Sequence, residues 1–188
     1  MLAQGNDAFV DAIEILKTDH KRLAQCFSEF FASRSETRRY ELILKTCAAL
    51  RVHIALEAEI FYPEFLNATE DTLSHFVAFV NHETVKMLVE GIENADPAGD
   101  GFSAQVYELS QLVAHHIREA EKPDGLFAEA QASGMDRDWV GKALFWLDGR
   151  NWPDWIESLP RGAALGASAT SALLDVAGQS MQRLEIAL

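Results

Sequence analysis

The feature that most constrains the fold is a helical apolar stripe that is interrupted, at interior positions, by histidine and glutamate. Across residues 8 to 32, Phe9, Ile13, Leu16, Leu23, Phe27, Phe30 and Phe31 recur at three-and-four spacing, and His20 falls on the same stripe. After polar Ser33 to Thr37, a second run through Tyr40, Ile43, Cys47, Leu50 and Ile60 carries His53 and Glu57 inward until Tyr62-Pro63. A third helix is predicted from Asp71 to Asn94, with His82 on its inward stripe, and a fourth from Ser103 to Lys122. The turn sequence Asp96-Pro97-Ala98-Gly99-Asp100-Gly101 separates these two. No strand-like alternation of any length appears. Four helices with short connections imply an all-α, up-down-up-down four-helix bundle, in which facing side chains meet in the core.

His53 and Glu57 are four residues apart, so on a helix they point the same way. The pattern returns as His115 and Glu119, and each pair is preceded by a histidine 33 positions earlier, His20 and His82. Burying so many titratable groups in one core is costly unless they are paired or bound to cations. A set of four imidazoles and two carboxylates, without thiolate, suits iron, manganese or zinc and disfavours copper(I) or calcium. Six ligands exceed one tetrahedral zinc but suit two metals about 3.5 to 4 Å apart, with carboxylates bridging. A ferritin-like site is disfavoured, because no histidine here has glutamate three positions before it.

The order Asp19-His20, His53-x3-Glu57 followed by Phe61-Tyr62-Pro63, Asn81-His82-Glu83, and His115-His116-Ile117-Arg118-Glu119 resembles the hemerythrin-like, or HHE cation-binding, domain. The resemblance covers residues 8 to 130. It implies a four-helix bundle holding a non-haem di-iron centre, with iron ligands at His20, His53, Glu57, His82, one of His115 or His116, and Glu119. Roles in such a family range over reversible oxygen binding, sensing of oxygen, redox state or iron, nitric oxide and peroxide responses, and iron handling.

On the fourth helix two alternatives stand. Equal spacing and the i,i+4 carboxylate favour His115 with Glu119, whereas the apolar face of Val106, Leu109 and Val113 leads to His116. His116 would draw on Glu119 at i+3 or Glu121 at i+5, and the histidine left over would orient a ligand or sit at the bundle edge. The chain also departs from oxygen-carrying relatives, which place two histidines four apart on the third helix. Here Ala78 and Lys86 flank His82 at that distance, and His75 lies about 10 Å away along the axis. Fewer imidazoles leave more open positions, which leans toward sensing, redox chemistry or weak peroxide turnover. The acidic run leading to Phe-Pro in such relatives is replaced by Lys122-Pro123-Asp124-Gly125-Leu126-Phe127, which shifts the expected helix end and weakens the case for Glu121.

Composition narrows the partners. With 16 basic and 29 acidic residues, a net charge of −13, the 188-residue chain offers no surface for nucleic acid or an anionic membrane. Cys26 and Cys47 have no metal-binding or disulfide spacing, and the first residues show no signal-peptide pattern, so a reducing, cytoplasmic setting is expected. The domain expectation is a hemerythrin-like bundle over residues 1–133 and a helical extension over 134–188, carrying Trp139, Trp146, Trp152 and Trp155. That extension would pack on the bundle or on a second copy of the chain. Oxygen or another small diatomic is the expected ligand, two irons the expected cofactor with manganese or zinc as substitutes. A dedicated enzyme is not the first expectation, although weak oxidase or peroxidase activity, or an interaction module with a merely structural metal, fits the same residues.

Overall fold

A computed structural model describes residues 10–148. Four long helices form the body: α1 (Ala12–Ala32), α2 (Glu36–Leu56), α4 (Thr72–Asn94) and α5 (Phe102–Glu121). Between α2 and α4 come a π-helical turn (Glu57–Phe61) and α3 (Tyr62–Thr69); α6 (Leu126–Ala132) and α7 (Arg137–Asp148) follow α5. The long helices touch in a closed ring, α1 on α2, α2 on α4, α4 on α5 and α5 on α1, which is the four-helix bundle expected. Among the described residues there is no strand, and no helix is long and apolar enough to cross a membrane.

Local signals set the helix starts. The Asp11 side chain accepts from Ile13 N–H, the Ser35 hydroxyl from Arg38 N–H, and the Asp71 carboxylate from the N–H groups of Leu73 and Ser74, each satisfying donors that the first turn leaves free. The second helix does not stop at Tyr62-Pro63 as expected. Backbone angles stay helical from Leu56 through Tyr62, and the chain runs on to Thr69 before Glu70 turns left-handed at φ 57°. Proline is disruptive within a helix because it lacks an N–H and crowds the carbonyl four residues back. Here it falls in the first turn after the π segment, where the hydrogen-bond ladder has already changed register.

Two apolar cores fill the bundle. One contains Leu23, Phe27, Phe30, Ile43, Leu50, Val89, Val106 and Leu109; the other contains Ile13, Leu16, Phe61, Phe65, Phe127, Val140 and Leu144. Along every long helix the inward histidine lies between the two. On α1, Asp19 and His20 separate Leu16 from Leu23; on α4, His82 separates Ala78 from Val85; on α5, His116 separates Val113 from Ala120. The polar groups thus form a single layer across the bundle.

The start of the expected extension, α7, packs on α1 and on the π turn. Arg137 donates to the Asp11 carboxylate at 2.7 Å, and Val10 N–H donates to Asp138 at 2.9 Å. Gly141 sits where a Cβ would collide with the Val10 carbonyl, so only glycine allows this approach. The remainder of the extension, from residue 149 and including Trp152 and Trp155, lies outside the described residues.

Candidate metal centre

Glu57 is the hub of the polar layer. Its Oε2 lies 2.9 Å from His82 Nε2, 3.4 Å from His116 Nε2 and 3.6 Å from His53 Nε2, and the residue is fully buried. His20 completes the cluster, with its ring centroid 5.0 Å from that of His53 and 5.3 Å from that of His116. One donor atom each from His20, His53, Glu57 and His116 fall within 4.8 Å of one another. Each long helix contributes: α1 gives His20, α2 His53, α4 His82 and α5 His116, while the π turn gives Glu57.

Of the two adjacent histidines on α5, the helix turns His116 inward and leaves His115 exposed. The apolar face of Val106, Leu109 and Val113 fixes that rotation, and Ala120 continues it one turn beyond His116. Glu119 is likewise exposed and forms a 2.9 Å ion pair with Lys122. The regular spacing that favours the His115 and Glu119 pair therefore does not bring it into the cluster. Glu121 comes closer instead, its Oε1 lying 2.7 Å from His20 Nδ1. His75 stays out of the cluster, near the Tyr62 ring.

Sequence reasoning did not assign roles to two residues that border the site. The Tyr62 hydroxyl donates to Glu57 Oε2 at 3.0 Å and lies 3.5 Å from His82 Nε2. Asp19, fully buried, accepts from Arg22 and places its other oxygen 3.9 Å from His53 Nδ1. Both stand next to motif residues in the chain, but only the fold shows that they face the layer.

Electrostatics follow from burial and crowding. Burial, together with the neighbouring charges of His53 and His116 and against that of Glu57, pushes His20 down to about 3. A neutral His20 donating its Nδ1–H to Glu121 keeps its Nε2 lone pair facing the cluster. Burial opposes charge on His53, yet the carboxylates of Glu57 and Asp19 hold it above the ordinary imidazole value. Burial also opposes charge on Glu57, and the surrounding imidazoles of His53, His116 and His82 outweigh it, holding the carboxyl well below its usual range. Tyr62 is pushed well up by burial and by the adjacent Glu57 charge, so it remains a phenol and a donor.

A cation fits these groups. His20 Nε2, both ring nitrogens of His53, Glu57 Oε1 and His116 Nε2 are buried without a hydrogen-bond partner. Buried polar atoms are rarely left so, and here the orphaned lone pairs converge. A family model for the hemerythrin HHE cation-binding domain matches residues 11–123, more than half of the chain. The chain belongs to the hemerythrin HHE cation-binding family. Neither the curated proteins nor the solved structures give a match. The family match and the geometry together support a metal-binding protein, with an imidazole and carboxylate cluster that could hold a metal ion.

Two spaces adjoin this layer. A small cavity of about 20 Å³ is walled by Leu23, Leu50, Ile54, Val85 and Val113 and touches His53, His82, His116 and the exposed His115. An open cleft of about 330 Å³ between α4, the end of α5 and the start of α6 reaches Tyr62, Asn81 and His116 from outside.

Proposed function

We propose that this hemerythrin-like protein holds a di-iron centre and binds or senses oxygen or a related small diatomic in the cytoplasm. The observation that carries the reading is the buried layer of orphaned imidazole nitrogens around Glu57, next to a small, largely apolar cavity. His20, His53, Glu57, His82 and His116 would hold the metal through imidazole nitrogen and carboxylate oxygen, and Glu121, bonded to His20 Nδ1, would orient that imidazole. Imidazole and carboxylate donors accept manganese or zinc as well, so iron rests on the family's chemistry. When bound, the iron pair supplies the electrons for reversible capture of oxygen. The chain's own residues do the rest: Glu121 orients His20, Asp19 sets a negative charge beside His53, Tyr62 holds Glu57, and Leu23, Leu50 and Val85 form an apolar wall beside the layer.

Anaerobic iron reconstitution tests the reading. Two irons per chain and a visible charge-transfer band on exposure to air are expected; one iron or none, or no band, overturns it.

A second reading, a di-metal oxidase or peroxidase, is favoured by the open cleft that reaches Tyr62 and His116, since it connects the layer to solvent. Peroxide consumption over many turnovers would select it, whereas a stable air-exposed spectrum with negligible consumption selects binding.

A further inference from the structure

The outer face of α4 is apolar where a solvent-facing helix should be polar. Leu73, Phe76, Val77, Val80 and Met87 recur at helical spacing and are between 44% and 73% exposed, with Phe79 beside them at 53%. From Thr72 to His82 the helix has no Asp, Glu, Lys or Arg. A contiguous exposed apolar patch beyond a few hundred Å² marks a surface that is covered in use.

The chain carries a segment of matching chemistry. Between Arg161 and Asp175 it is uncharged, and Leu165, Ala169, Leu173, Ala177, Met181 and Leu184 repeat every three or four residues. Residues 161–188 hold Arg161 and Arg183 against Asp175 and Glu185, so the segment is neutral. A second copy of the chain, by contrast, brings a net charge of −13 against another −13. Residues 149–160, which join α7 to this segment, span up to about 40 Å when extended. Tethering also raises the effective concentration to the millimolar range, so a modest apolar contact is enough.

We propose that residues 161–188 dock on the outer face of α4, covering Leu73, Phe76, Val77, Val80 and Met87. Docking there places the C-terminal segment along the helix that carries His82, beside the mouth of the cleft, which Leu73 and Val77 also line.

Hydrogen exchange on the full-length chain, with reciprocal variants, tests this. In the double variant Phe76→Glu, Val80→Glu, amides of residues 161–188 should exchange about tenfold faster, while α1, α2 and α5 keep their protection. In Leu165→Glu, Leu173→Glu, hydroxyl-radical labelling of Phe76 and Met87 should rise several-fold with the chain monomeric throughout by sedimentation. Unchanged exchange of 161–188 in the first variant, or unchanged labelling in the second, overturns the proposal. So does a wild-type dimer that dissociates on substitution of Phe76 and Val80 with exchange of 161–188 unaltered, because the face would then join two copies.

Discussion

Tyr62 donates twice to Glu57, its backbone N–H to the Glu57 carbonyl and its hydroxyl to the Glu57 carboxylate at 3.0 Å. Residues five apart on an α-helix differ by about 140° around the axis and face different ways. The π turn narrows that difference, so a side chain from the next turn reaches and locks the central carboxylate of the layer.

Tyr62→Phe tests the lock. The ring stays in its apolar surroundings, so the melting temperature should move little, while metal affinity falls about tenfold, the usual scale for losing a partner that orients a ligand. Competition against a chelator reads the affinity; an unchanged constant would show that Glu57 needs no such support.

Removing the negative charge of Glu57 should weaken the site further than removing the hydroxyl that holds it. Glu57→Gln keeps the shape and takes away the anion facing three imidazoles, and metal loading should drop by at least about a hundredfold while helicity is retained. Metal content per chain and far-ultraviolet circular dichroism together decide this, because a loss of both would mean that the variant misfolds.

On α5 the two histidines should separate cleanly. His116→Ala is expected to lose most of the bound metal, and His115→Ala to keep it, since His115 faces solvent. Equal losses in both would return His115 to the ligand set.

Acid should destabilise the metal-free protein in a window set chiefly by His20. Its folded value is about 3 against an ordinary 6.5, so the unfolded chain takes up the proton first and stability falls as pH drops from 6.5 toward 3. At pH 4 the loss from this residue is about 3 kcal/mol. Glu57, also depressed, adds to the loss below its ordinary 4.5. His53, held above 6.5, acts oppositely: its contribution is complete below that value and fades as pH rises through its folded value. Thermal melts of the chelated protein from pH 4 to 7 should therefore show a steep acid limb, shallower in His20→Leu. An identical limb in that variant would assign the effect to other groups.

Gly141→Ala probes the seating of α7. The added methyl meets the Val10 carbonyl and should cost about 1–3 kcal/mol, visible as a lower melting temperature with metal content unchanged. No change would mean that α7 can shift away from α1 without penalty.

Much of this architecture is legible in the chain. The apolar period marks four helices whose ends differ from the observed ones by only a few residues, except in the second, because Asp11, Ser35 and Asp71 are caps and Asp96 to Gly101 is a turn sequence. His20, His53, Glu57 and His82 are visible as polar residues on inward stripes. The second helix is less legible, since Pro63 reads as a terminator and periodicity gives no sign of a π turn before it. On α5, spacing and the apolar face point in opposite directions, and burial follows the apolar face because rotating His115 inward would expose Val113 or Ala120. The contacts of Asp19 with His53 and of Glu121 with His20 are tertiary and leave no periodic trace, and that of Tyr62 with Glu57 depends on the same π turn.

Because the polar layer lies between two separate apolar cores, each of the four long helices is clamped above and below its inward histidine. Two such cores can hold the scaffold together without an ion, so a chelator should strip bound metal while leaving the protein folded and ready for reloading. Metal occupancy then responds to the supply of ions around the protein rather than to its folding history.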